Sequence, residues 1–471
     1  MKQTIINLFI FLTAYCIGPY ASSAQTIAGG SNHSLSVCTD GTVQSWGSNL
    51  YGQLGDGTQM DRNSPVPIIT LTDVTSVAGG YAHSLALKNN GTVWAWGSND
   101  AGQQGTGTTG STFVPMQVSN LIGAIAIAAG TSHSFSIKSD STVWSWGDNA
   151  HGQLGCGIAP DSWTPVQVTG LTSVVAIAAG GTHSLALKSN GTVWAWGDNS
   201  SGQLGDGTNN SSFTPIPVDG LIDVIAISAG TSHSLAVRND GTVWAWGNNE
   251  MGQIGLDTSI QDNSSVPVQI VELTGIVAVA GGGQHSLALK NDGTVWACGA
   301  GLLGTGSSIY SATPIQINGL TDIISIATGV DAMHSLALKN DSTLWAWGIN
   351  NYGQVGIGID YDQYTPSQVN GLCSVLSVES SLGNEHEVII YPNPNNGKFN
   401  IQFKNYEIQD TNQHLKIEIF NIMGEKIYTM SNFKQQNENN VDLSNYPKGI
   451  YFVQLINEKN HVASRKKLLI E

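Results

Sequence analysis

At 471 residues, with only 11 % charged residues and 56 glycines, the chain has ample length for a large core and too many turns for an architecture of long helices. Its formal net charge of −16 is unevenly placed: residues 25–378 hold 7 Lys/Arg against 23 Asp/Glu (−16), and residues 379–471 hold 10 against 11 (−1). An acidic surface with no basic patch repels phosphate backbones, which argues against nucleic acid as a partner.

The first element in chain order is a leader. Lys2, an apolar run over Ile5–Ile17 and the small residues Ser22-Ser23-Ala24 read as a secretory signal peptide over residues 1–24, cut after Ala24. The run is too short to span a bilayer, and Cys16 follows "TAY", a poor match to a lipid-anchor signal. No other stretch is long and apolar enough to cross, so the mature chain is expected to lack a transmembrane segment. Four cysteines follow, Cys38, Cys156, Cys298 and Cys373. They are too few for a disulfide scaffold and wrongly spaced for zinc.

Next comes a repeat. The histidine of "HSLALK" recurs at His33, His83, His133, His183, His233, His285 and His334, at intervals of 50, 50, 50, 50, 52 and 49 by subtraction. Each unit holds a "VVAIAAG"-like run, "HSLALK", a turn that in most copies is Asn/Asp-Gly, "TVWAWG", a Gly-rich loop and a Pro-led segment, which read as four short strands. A single four-stranded sheet cannot bury both faces, whereas seven arranged radially can. The fold class is therefore all-β, a seven-bladed β-propeller over residues 25–378 followed by a small β-sandwich.

The units resemble the regulator of chromosome condensation repeat family, whose repeats carry the same "AAGxxHSLAL…GxVWxWGxNxxGQLGxG" pattern. The resemblance covers all seven units and implies a seven-bladed propeller. It does not carry over a function, because the family serves several. After unit seven, "CSVLSV" (Cys373–Val378) is an eighth copy of the first strand, expected to join blade one and close the ring. Aligned on the histidines, Cys38 falls opposite Cys373, so a Cys38–Cys373 disulfide clasping the ring is expected.

After a polar linker at residues 379–388, the texture changes. Phe399, Ile401 and Phe403 alternate with polar residues, as do Leu415, Ile417 and Ile419, which is half-buried strand patterning. Residues 389–471 closely resemble the C-terminal sorting domain of proteins exported by the type IX secretion system. The matching residues are Tyr391, Pro392, Asn393 and Pro394, Gly424 in "IFNIMGEKIY", Pro447, Gly449 and Tyr451, and the closing Lys466 and Lys467. The resemblance implies a sandwich that addresses the chain to the outer-membrane translocon, giving a secreted or surface-attached protein.

The repeated residues are read as structural. One histidine per blade lacks the clustered partners a metal needs, so the imidazoles are expected to hydrogen-bond loop backbone. The paired tryptophans, such as Trp194 and Trp196, share a strand face and are expected to pack between blades. Asp56 and Asp206 in "GDGT" read as turn residues, since no loop has the alternating acids of a calcium site. No cofactor or metal is expected, and no nucleophile motif appears.

Function is sought where the repeat breaks down. Two residues before the loop proline stand Phe113, Trp163, Phe213 and Tyr364, against Pro65, Ser265 and Ala312 elsewhere; Tyr310 and Tyr361 lie in the same loops. These aromatics are the candidate binding residues of a loop face. The irregular "LDTSIQDNSS", "CGAGLLG" and "VDAMH" segments of blades five to seven mark a second candidate patch. The resulting expectation is a secreted, non-enzymatic, monomeric propeller that binds an extracellular protein or glycan. The alternative is an enzyme or glycan-processing accessory with a site at the mouth of the central channel.

Overall fold

The structure is a computed structural model that describes residues 26–373 apart from 158–159, 259–261 and 307–309, and, further on, residues 387–391, 398–404, 416–421, 426–430, 439–446, 449–456 and 462–470. The leader expected at 1–24 and residues 374–378 of the expected closing strand lie outside the described residues. The chain divides into two compact units, 1–378 and 379–471.

The first unit is seven four-stranded antiparallel sheets, each in simple meander order. Blade four shows the plan, with strands Val174–Ala179, His183–Lys188, Val193–Gly197 and Ser212–Pro217. The second strand is buried along nearly its whole length and the fourth is half exposed. A strand covered on both faces by neighbouring blades has no use for polar alternation, which is why the middle of "HSLALK" is the unbroken apolar run Leu185-Ala186-Leu187. At the turn between the second and third strands, Thr192 donates from N and Oγ1 to Asn190 Oδ1 at 3.2 and 2.7 Å. Gly191 there takes φ +77°, which an L side chain would resist.

Indoles fill the seams between blades. Trp46, Trp96, Trp146, Trp196, Trp246 and Trp347 are fully buried. Trp196 packs on Phe135, Ile137 and Val168 of blade three and donates from Nε1 to Gln153 O at 2.8 Å. The other indole of each pair is half-buried, and in four blades a cation lies over it, as Lys188 Nζ lies 5.2 Å from the Trp194 centroid.

The histidines bond differently from expectation. Each Nε2 meets the serine hydroxyl of the next blade rather than loop backbone: His33 to Ser84 at 2.9 Å, His183 to Ser234 at 2.9 Å, and His334 to Ser34 at 2.9 Å, which closes the circle. Ser84 Oγ in turn donates to Gln53 O at 2.8 Å. A hydroxyl has one proton, so the imidazole must donate from Nε2 and leave Nδ1 bare. The ring edge lies against a glycine: a Cβ on Gly180 would stand 2.3 Å from His183 Cε1. Seven His–Ser bonds of this kind form a belt linking every blade to the next.

Blade one has the shortest first strand, Ile27–Gly29, and Cys373 comes to it. Cys38 and Cys373 are disulfide-bonded, with Cα atoms 5.7 Å apart across a sequence separation of 335. Cys373 N donates to Gln44 Oε1 at 2.9 Å and Gln44 Nε2 to Gly371 O at 3.4 Å. Gln44 replaces the half-buried tryptophan of the other six blades. An amide can both accept from and donate to the closing segment, and an indole can only donate.

The second unit has two antiparallel sheets. One contains Glu387–Tyr391, Lys398–Lys404 and Asn439–Asp442; the other contains Lys426–Met430, Lys416–Asn421, Gly449–Ile456 and Val462–Ile470. Phe399, Ile401 and Val441 of the first share one core with Ile417, Ile419, Tyr451 and Val453 of the second, the inward-facing halves of the alternating patterns. The first strand takes in the last two residues of the expected linker. Of the sorting-motif residues, Tyr391 pairs with Asn400, Gly449 with Ile470, Lys467 with Phe452 and Lys466 with Val453, and Tyr451 is buried. Pro392, Asn393, Pro394, Gly424 and Pro447 lie outside the described residues.

Candidate functional site

In an antiparallel meander the first-to-second and third-to-fourth loops emerge at one end of the blade. In blade four the third-to-fourth loop is organised by Asn199. Its Nδ2 donates to Asp206 Oδ1, Thr208 O and Asn210 O at 3.0, 3.0 and 3.1 Å, and its Oδ1 accepts from Leu204 N at 2.9 Å. Asn49 does the same in blade one, where Asp56 also takes Arg62 Nη2 at 2.8 Å. The acids of "GDGT" are thus committed to loop geometry. Among the described residues no group of three or more His, Cys, Asp or Glu is arranged to hold a metal.

The aromatics singled out from the sequence sit at blade seams around the rim. Phe113, Trp163 and Phe213 each lie over a loop glycine of the preceding blade: a Cβ on Gly52, Gly102 or Gly152 would stand 2.8, 2.7 or 2.7 Å from their Cα atoms. Their carbonyls accept from Gly57, Gly107 and Gly157 N at 2.9, 2.8 and 3.0 Å, and Tyr364 O accepts from Gly306 N at 2.9 Å. Tyr310 OH meets Thr258 Oγ1 of blade five at 3.1 Å. Trp163 and Tyr364 remain 50 % exposed and Tyr361 74 %; Phe113 is also exposed and Phe213 half-buried. In blade one this position belongs to Asn63 rather than Pro65, because Arg62 pairs with Gly47 as Thr112 pairs with Gly97.

A tighter cluster was missed by the sequence reading. Tyr51, Tyr81 and Tyr352, with Leu50, Gln59 and Asp61, line a cleft of about 400 Å³ on the loop face where blades seven, one and two meet. The tyrosines are 41, 45 and 45 % exposed. Tyr51 and Tyr352 precede the loop glycine, where other blades have Ala101, His151, Ser201 and Met251. The signal was present as a break in the repeat, but only ring closure brings residue 352 beside residue 51. The opposite end of the ring exposes Ile69, Ile122, Ile222 and Val271, singly and on separate blade connections, as ordinary surfaces do.

The axis at the loop end is bridged. Asp331, in the irregular segment of blade seven, accepts from Thr231 Oγ1 at 2.9 Å with Oδ1 and from Thr131 Oγ1 at 3.2 Å with Oδ2. One side chain therefore ties blades three, five and seven across the mouth. In blade six the "CGAGLLG" loop is truncated, and among the described residues the buried Nε1 of Trp347 lacks the main-chain carbonyl acceptor that its counterparts such as Trp196 have. Cys298 replaces an indole there, and burial pushes its thiol up to about 12, leaving it unreactive.

Fold and face together define an interblade-belted propeller with an aromatic loop surface and an appended two-sheet unit. Residues 161–395 match the RCC1-like domain. Residues 40–87 and 90–137, and in a second description 25–53, 74–103 and 124–153, match the regulator of chromosome condensation (RCC1) repeat. Residues 389–471 match the secretion system C-terminal sorting domain. Human WBSCR16 is similar in structure at 26 % identity and TM-score 0.65, over 72 % of this chain and 96 % of that one. Yeast RCC1 (Prp20), crystallised with Kap60, is similar at 23 % and 0.64, over 83 % and 93 %, which shows the fold alone. The chain is an RCC1-repeat propeller with a sorting domain for type IX export to the cell surface or extracellular space. Among the described residues no helix is long and apolar enough to cross a membrane.

Proposed function

We propose that the exported propeller is a non-enzymatic binding protein that holds an extracellular protein or glycan on its loop face. The observation that supports this most is the gathering of Tyr51, Tyr81 and Tyr352 in one open cleft, where the repeat itself requires no aromatic. Leu50 lines the same cleft at 63 % exposure, and Trp163, Phe213, Tyr364, Phe113, Tyr310 and Tyr361 extend the aromatic surface to the rim. Half-exposed aromatics are the residues that anchor interfaces. The bridge by Asp331 weighs against a catalytic site at the channel mouth.

The test uses the full chain as bait against cell-surface extracts and a glycan array. Tyr51→Ala/Tyr352→Ala and Trp163→Ala/Phe213→Ala should each be compared with the parent at equal thermal stability. Loss of the captured partner by either pair supports the proposal. Retention by both contradicts it.

A further inference from the structure

We infer that the cleft between blades seven, one and two is a binding site for a neutral oligosaccharide. The inference rests on the loop-face reading above and names its ligand class. A cleft of about 400 Å³ falls within the ~300–1,000 Å³ typical of small-ligand sites. A protein partner would instead need roughly 800 Å² of its surface covered, which a concave cleft of this size does not offer.

The lining has the two chemistries a sugar ring presents. Pyranose faces are made of C–H groups and pack on aromatic rings, and their edges carry hydroxyls that both donate and accept. Tyr51, Tyr81 and Tyr352 bring part-exposed aromatic surface to the lining, and among the described residues none of their phenol hydroxyls is bonded to the protein. Asp61 commits Oδ1 to Asn49 N at 2.6 Å, and its Oδ2 takes no bond among the described residues. Gln59 donates to Leu50 O at 2.8 Å from Nε2, which fixes its amide at the cleft edge. A tyrosine contributes contact area with few torsions to freeze, so three of them meet a ligand at low entropic cost.

Charge selects the class of saccharide. Among the described residues no cation lines the cleft, and the nearby Arg62 is spent on Asp56, with Nε and Nη2 at 3.0 and 2.8 Å from Oδ2. A uronate or sulfated chain would face Asp61 and a propeller of net charge −16 without a counter-charge. Neutral hexose and N-acetylhexosamine chains meet no such barrier.

The full chain should be titrated calorimetrically with gluco-, manno- and chito-oligosaccharides, with heparin as the polyanion. At least one neutral saccharide should bind at millimolar concentration or below. Tyr51→Ala and Tyr352→Ala should each weaken it about tenfold, Tyr81→Phe severalfold through the lost hydroxyl, and Ile122→Ser, exposed at the opposite end of the ring, not at all. Unchanged Cys38–Cys373 pairing and thermal midpoint show that the variants fold. The inference is overturned if no neutral saccharide binds, if heparin alone binds, or if the tyrosine variants bind the saccharide as the parent does. It is equally overturned if the cleft holds a captured protein that saccharides fail to displace. A chain that binds a protein through the rim and no sugar would sink this inference and leave the broader proposal standing.

Discussion

Acid should open the ring, and the size of the effect follows from the histidine belt. Burial, with neighbouring imidazoles adding repulsion in several blades, pushes His33, His83, His133, His233 and His334 down to about 3, and His183 and His285 to about 4. In the unfolded chain each would titrate near ~6.5. Above that pH neither state takes up protons on these rings, and their contribution to stability is complete. As the pH falls below 6.5 the unfolded chain binds protons and the folded ring does not, so stability is lost progressively toward pH 3–4. At pH 4.5 each ring costs on the order of 2–3 kcal/mol relative to pH 7, and seven together cost on the order of 10–20 kcal/mol. That exceeds the ~5–15 kcal/mol by which domains are stable. Protonation in place is no escape, because the bare Nδ1 of His33, His83, His133, His183, His233 and His334 has no acceptor waiting. Tryptophan fluorescence in urea, repeated from pH 7 to pH 4, should show the midpoint falling steeply and unfolding in buffer before pH 4. A His183→Gln variant should flatten the slope by about one proton, ~1.4 kcal/mol per pH unit. A midpoint constant down to pH 4, or resonances of the seven belt histidines titrating near 6.5 in the native state, would refute the reasoning.

Three further outcomes are expected. Cys38→Ser/Cys373→Ser should lower stability by up to about 5–6 kcal/mol in the chain-entropy account of a 335-residue loop, read as a urea midpoint; peptide mapping without reductant should recover the two cysteines in one linked fragment. Trp196→Ala, which empties a blade seam, should cost about 3–5 kcal/mol, and Trp163→Ala, half exposed on the rim, under about 1 kcal/mol; equal losses would contradict the assigned places. Asp331→Ala should cost about 1–2 kcal/mol for the cross-axis hydrogen bonds, and a denaturation midpoint identical to the parent's would show that the bridge is not formed.

The propeller was legible because repetition multiplies weak signals. One "HSLALK" is an ambiguous strand, and seven at a fifty-residue spacing leave little freedom. Trp194 and Trp196 could be placed between blades from their spacing alone. The histidines could be recognised as structural, but their partners could not, because the serine that His33 meets is Ser84, in the next unit. The same limit hid the cleft. Tyr51 and Tyr352 are remote in sequence, and the aromatics that repeat at a shared position, Phe113, Trp163 and Phe213, drew the eye first. Those three prove to be seam residues, each over a glycine of the preceding blade. Gln44 was visible only as an anomaly until Cys373 was found against it.

The most direct test of loop-face binding is to ask which end of the ring a bound partner occupies. Tyr51→Ala/Tyr352→Ala and Trp163→Ala/Phe213→Ala alter the loop end, and Ile122→Ser/Ile222→Ser alters the opposite end at residues 67 and 56 % exposed. Affinity of the full chain for its captured partner should fall by about tenfold or more with a loop-end pair and stay at the parental value with the isoleucine pair. Binding lost with the isoleucine pair and kept with both loop-end pairs would contradict the account.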